Sequence, residues 1–178
     1  MKPIIGTMAL SALLWMGGCA KQNEAPKVAD SIHDSLKQAG YSDVSVKQDR
    51  DKGVVTLEGK VASDADKARA ESIAKAQAAG EVVANQIAVV PPNDASAAKT
   101  INSDVDKAID KNMDAALVSN RLNKSVKYSV KNGVVTLTGK VNTQATRMQA
   151  ERIASRVPNV TQVVNELEVH YNRATSSR

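Results

Sequence analysis

Among its 178 residues the chain has no phenylalanine, one tryptophan, three tyrosines and one cysteine. Without large aromatics, any core must come from Val, Ile, Leu, Met and Ala, which suits small, thinly packed domains. The shortage also removes the stacking platforms that single-stranded nucleic acid requires. Near the basic residues of the C-terminal half only Tyr128 and Tyr171 are aromatic, and neither sits in a cationic cluster, so nucleic acid is not an expected partner. A lone cysteine excludes an internal disulfide and any thiolate-rich zinc site. The two histidines, His33 and His170, lie far apart in sequence, whereas a metal site needs three or four ligands. They read as surface or edge residues. Asp49-Arg50-Asp51 lacks the Gly and Glu of a calcium loop. Neither G-x-x-x-x-G-K-[ST] nor G-x-S-x-G occurs. These gaps point away from an enzyme, a cofactor, a metal centre or a small-molecule substrate.

Long apolar runs are scarce too, with one exception at the start, MKPIIGTMALSALLWMGGCAK. Lys2 precedes an apolar stretch from Ile4 to Met16, too short to span a bilayer but suited to the hydrophobic region of a secretory signal. Gly17-Gly18-Cys19 follows. The segment resembles a bacterial lipoprotein lipobox, with Met16 where the family usually has Leu. The resemblance implies a signal peptide over residues 1–18 and a lipidated Cys19 as the first mature residue. Ordinary cleavage after Ala20, giving a soluble periplasmic protein, is the alternative. A tether over 19–26 would have about seven residues beyond Cys19, reaching at most roughly 25 Å. At the other end NRATSSR is polar and aperiodic, which predicts a disordered tail over 172–178.

Between these ends the chain writes one pattern twice. KGVVTLEGKV at 52–61 returns as NGVVTLTGKV at 132–141, and Glu71/Glu151, Val83/Val163 and Asn85/Asn165 keep the same offset of 80. Upstream, Val44 and Val46 match Val126 and Tyr128 only at an offset of 82, so the first copy holds two extra residues in its turn. Asn132-Gly133 is a hairpin signal because both residues tolerate positive φ. Two copies are too few for a solenoid, so a pair of small domains is expected. The predicted domains cover 27–90 and 100–171, joined by a linker over 91–99 in which Pro91-Pro92 ends the preceding strand.

Within each copy the periods alternate. Val28, Ile32 and Leu36 make a helical stripe, with Pro26 suited to a first turn and Gly40 to the stop. Val44-x-Val46 and VVTL read as a strand pair. Ser63-Asp64-Ala65-Asp66 reads as a helix N-cap with acids in the first turn, and Val83 to Val89 as a closing strand. In the second copy Val105, Ile109, Met113 and Leu117 give the first stripe, and residues 117–122 could extend the helix or form a loop. The fold class is therefore α+β: twice α-β-β-α-β, each unit a three-stranded mixed sheet with both helices on one face.

The helix, the GVVTLxGxV strand pair, the AExIA helix and the V-x-N-x-L-x-V ending resemble the BON domain in both copies. A lipobox followed by two such domains resembles the dual-BON outer-membrane lipoproteins, and is similar to the osmotically inducible periplasmic BON proteins. The resemblance implies phospholipid or membrane-surface association, a role in envelope integrity under osmotic stress, and no known catalysis. It also implies a location on the periplasmic side of the outer membrane.

Charge separates the copies. Residues 27–90 carry 9 Lys+Arg and 10 Asp+Glu, whereas residues 99–173 carry 12 and 7. Lys124, Lys127, Lys131, Lys140, Arg147, Arg152 and Arg156 are the candidate contacts to anionic phospholipid. The alternative function is an adaptor binding an envelope protein partner, an outer-membrane assembly or secretion factor.

Overall fold

A computed structural model describes residues 24–93 and 95–170. The signal segment, Cys19 and the tail over 172–178 lie outside the described residues. The first half runs α1 (Ala29–Gln38), β1 (Val44–Asp49), β2 (Val54–Val61), α2 (Asp64–Gln77) and β3 (Val82–Val89). The second runs α3 (Ala95–Ser119), β4 (Val126–Lys131), β5 (Val134–Val141), α4 (Gln144–Ala154), β6 (Gln162–Asn165) and β7 (Glu168–Val169). In each half the hairpin strands pair antiparallel and the returning strand lies parallel to the middle one. β7 carries on beside β5 where β6 stops, so the two share one place in the sheet. This is the expected α-β-β-α-β order, twice.

Strand alternation decides the core. Val55, Leu57, Val83 and Ile87 face the helices and meet Ile32, Leu36, Ala70 and Ala74. Val135, Leu137 and Val141 meet Ile109, Met113, Leu117, Ala150 and Ala154 in the second half. Alanine on the buried face of α2 and α4 lets each helix lie close to its sheet, so aliphatic side chains fill the space without any ring. Ser63 caps α2, its Oγ accepting from the Asp66 amide at 3.1 Å, and Thr143 caps α4 in the same way at 3.0 Å.

Two local expectations differ, and one open alternative is decided. Pro26 lies outside α1. The helix begins at Ala29 because the amide Oε1 of Gln48, on β1, accepts from the Val28 and Ala29 N–H groups at 3.1 and 3.4 Å. The linker is shorter than 91–99, since α3 starts at Ala95 in a run of good helix formers and reaches 25 residues against 10 in α1. Finally, α3 ends at Ser119. Arg121 takes φ 58°, and Leu122 folds back into the core from the turn.

The hairpins confirm the two-residue slip. Asn132 and Gly133 have φ 49° and 80°, both positive as a two-residue turn of matching twist demands, whereas residues 50–53 separate β1 from β2.

The halves dock through the sheet faces that the helices leave open. Val54, Ala84, Val134 and Val164 form a buried cluster of their own. They are two pairs of equivalent positions, so the contact is nearly two-fold. Lys52 Nζ meets Glu166 Oε2 at 2.7 Å, and at the equivalent site Asn132 Nδ2 donates to the Gln86 carbonyl at 2.8 Å. Gln162 reaches the edge of β3. Its Oε1 accepts from the Asn85 N–H at 3.0 Å, and its Nε2 donates to the Val83 carbonyl at 2.6 Å. Two backbone groups that an edge strand would otherwise leave open are thereby satisfied.

Candidate functional site

Among the described residues Asn85 is the one polar side chain buried with the core residues, at 3% exposure. Its Nδ2 donates to the Lys67 carbonyl and to Glu71 Oε2 at 3.1 and 3.0 Å, and its Oδ1 accepts from the Ile87 N–H at 3.4 Å. Asn165 repeats this with Arg147, Glu151 and Leu167. Both asparagines tie the last strand to the second helix. Burial pushes the Glu71 carboxyl up, but hydrogen bonds from Asn85 and Lys75 more than offset it, leaving its pKa below the ordinary value.

The two extra residues of the first hairpin hold the incoming chain. Arg50 Nε donates to the Ala25 carbonyl at 2.7 Å, its Nη1 pairs with Glu24 at 3.0 Å, and the Ala25 N–H donates to the Arg50 carbonyl at 3.1 Å. Gln48 Nε2 adds a bond to the Pro26 carbonyl at 2.7 Å. Residues 24–28 therefore belong to the folded body. Glu24 reaches a polar cleft of about 780 Å³ that is also lined by Lys52, Arg147, Glu166 and Glu168.

The seven candidate cations fall into separate groups. Lys131 crosses to the first domain and pairs with Glu58 at 2.8 Å, with Lys47 on the other carboxylate oxygen at 2.6 Å. Those two hydrogen bonds hold the Glu58 carboxyl below its ordinary pKa. Arg147 is also engaged: its Nη2 donates to the Asn165 carbonyl at 2.9 Å and its Nε is buried. Arg152, on α4, and Arg156, just past its end, are exposed at the side of the molecule near β6. Lys124 sits in the turn before β4. Lys127 and Lys140 do share a surface. Val126, Tyr128 and Val130 pack inward, so Lys127 points from the open face of β4, paired with Thr138. Lys140, two residues on, points from the same face of β5.

Arg121 is a further exposed cation of this domain that nothing in the sequence singled out. It is exposed in the turn between α3 and β4, three residues before Lys124. Among the described residues no ion pair engages Arg121, Lys124, Lys127, Arg152 or Arg156, and Lys140 has only a 3.8 Å contact with the exposed Glu168. Glu168 lines the same cleft as Glu24. Lys140 thus stands near the place where the N-terminal segment enters.

His33 is exposed on α1, and His170 lies 3.3 Å from Glu168 with half its side chain exposed. Among the described residues no three of His, Cys, Asp and Glu come together in a metal-binding group, and no helix is long and apolar enough to cross a membrane.

The family profile described as BON domain matches residues 25–91 and again residues 98–171. The chain belongs to the BON domain family. It is 33% identical over 144 residues to osmotically-inducible protein Y of Escherichia coli (strain K12), covering 80% of this chain and 68% of that protein. Two solved structures of CdsD, a structural protein of the type III secretion system of Chlamydia trachomatis, also match. One, of its C-terminal domain, has 16% identity and a TM-score of 0.31, covering 80% of this chain. The other has 15% identity and a TM-score of 0.33, covering 82%. This chain spans 65% and 63% of the lengths of those two chains. The tandem BON arrangement accounts for the repeat, its offset and the two sheets.

Proposed function

We propose that this BON protein is a non-enzymatic envelope lipoprotein that rests on anionic phospholipid through its second domain and supports outer-membrane integrity under osmotic stress. One observation carries the reading. Lys140, on the same open sheet face as Lys127, lies 3.8 Å from Glu168, and Glu168 lines the cleft that Glu24 also reaches as the chain enters the fold. With residues 24–28 clasped, only four residues separate Cys19 from Glu24, five Cα-to-Cα steps and a reach of at most about 18 Å. A lipid on Cys19 would hold that face at the bilayer. The 33% identity to an osmotically-inducible protein supports the stress role.

Magnitudes explain why both features are needed. Each Lys or Arg near an anionic surface contributes about 1 kcal/mol. Four give about 4 kcal/mol, a millimolar affinity and too weak for a free protein. An anchor supplies the high local concentration that makes such contacts count.

Vesicle sedimentation tests the reading. With phosphatidylglycerol vesicles, Lys124→Glu/Lys127→Glu should weaken binding at least about tenfold. Arg152→Glu/Arg156→Glu, on another side, should weaken it less. Binding that survives both double variants and high salt would overturn the proposal.

A further inference from the structure

The near-two-fold docking of the domains creates two clefts, and repeat divergence has made them unlike. One is the polar cleft where Glu24 and Arg50 lie. The other, of about 690 Å³, opens between the domains on the side walled by the N-terminal half of α3. Glu168, which lines the first cleft, has Ala88 as its equivalent here, and Val90 and Val130 stand at the positions equivalent to His170 and Gln48. Ala88, Val90 and Val130 line an apolar floor. Lys60, Lys99 and Lys107 line the same cleft.

The competing charges are accounted for. The two carboxylate oxygens of Asp106 accept from the Asn132 and Gly133 N–H groups at 2.8 and 2.9 Å, so that acid secures the hairpin tip. Lys60 pairs with Asp43 at 3.7 Å and Lys107 with Asp104 at 3.0 Å, but all four side chains are about two-thirds exposed, and pairs of that kind hold weakly. The lining as a whole therefore sets three lysines against the carboxylates of Asp106 and Asp110, with Asp106 turned to the hairpin amides. Pockets of about 300–1,000 Å³ with an apolar body and a few polar groups, set between domains, are the usual form of a small-ligand site.

We infer that this interdomain cleft binds a single-chain anionic amphiphile, its chain on Ala88, Val90 and Val130 and its charged head among Lys60, Lys99 and Lys107. The site is distinct from the cationic face that meets the membrane in the proposed function. It takes one molecule from solution instead of touching a bilayer.

The test uses the full mature chain and the fluorescent probe 11-(dansylamino)undecanoate below its critical micelle concentration. Saturable binding at one site is expected, displaced by laurate. Dodecyltrimethylammonium, with the same chain length and opposite charge, should compete at least about tenfold less well. Ala88→Trp fills the floor and should weaken probe binding at least about tenfold. Lys60→Glu/Lys99→Glu changes only exposed residues and should do the same without risk to folding. Both variants should sediment with phosphatidylglycerol vesicles as the unaltered protein does, so a failed cleft and a failed membrane reading give different results. Probe affinity unchanged in both variants, or equal competition by the cationic amphiphile, would overturn the inference.

Discussion

Asn85 sits where a leucine would satisfy the core, yet it answers three backbone or carboxylate partners from one buried position. Removing it takes the side-chain acceptor from the Ile87 N–H and one of two hydrogen bonds from Glu71, which keeps Lys75. Asn85→Ala should cost roughly 2–3 kcal/mol in urea unfolding, and Asn165→Ala, which is less buried, should cost less. Gly139 is constrained differently: φ is 119° and a Cβ there would strike the Ser125 carbonyl. Gly139→Ala should lower stability by roughly 2–4 kcal/mol by the same measurement. The recurrence of Asn and Glu at a common offset was legible in the sequence. Their mutual bond was not, because it depends on how the helical crossover returns over the sheet. Arg121 was hidden for a simpler reason: until the end of α3 is known, its place beside Lys124 is not.

The first hairpin is longer than its twin and has a further duty: Arg50, one of the two extra residues, clasps residues 24–25. Arg50→Ala should release that segment and speed proteolytic cleavage ahead of α1 severalfold, while leaving the main unfolding transition nearly unchanged. The insertion could be located from the shift between offsets of 80 and 82, but its purpose required partners more than twenty residues away. The same holds for Gln48, which does the capping that Pro26 suggested was local. Helix and strand order, by contrast, followed from periodicity alone, since each apolar stripe meets one sheet face. Glu58, on β2, links the domains through Lys131. Its folded pKa lies below the ordinary 4.5, so its contribution is present above that value and is lost as pH falls through the lowered one. The melting temperature should drop more steeply below about pH 4.5 for the unaltered protein than for Glu58→Gln.

At the scale of the whole molecule, docking makes one rigid object out of two thin cores. Val164 is 1% exposed in the shared cluster. Val164→Asp would bury an unpaired charge there. It should separate the domains, seen as a larger radius of gyration in X-ray scattering and as two unfolding transitions instead of one. The docking was not readable beforehand because the open sheet faces mix Val, Thr, Glu and Lys, a pattern equally suited to solvent. Once docked, the body fixes which cations stand near residue 24 and which point elsewhere. The central claim is that a short anchored tether and that one cationic face act together, neither sufficing alone. Its most direct test is retention on phosphatidylglycerol vesicles in about 0.15 M salt. It compares the mature protein purified from cells with residues 20–178 produced without the leader. The first form should stay bound and the second wash off, with Lys124→Glu/Lys127→Glu loosening the first. Equal retention of the two forms, or an anchored form indifferent to that charge reversal, would contradict the claim.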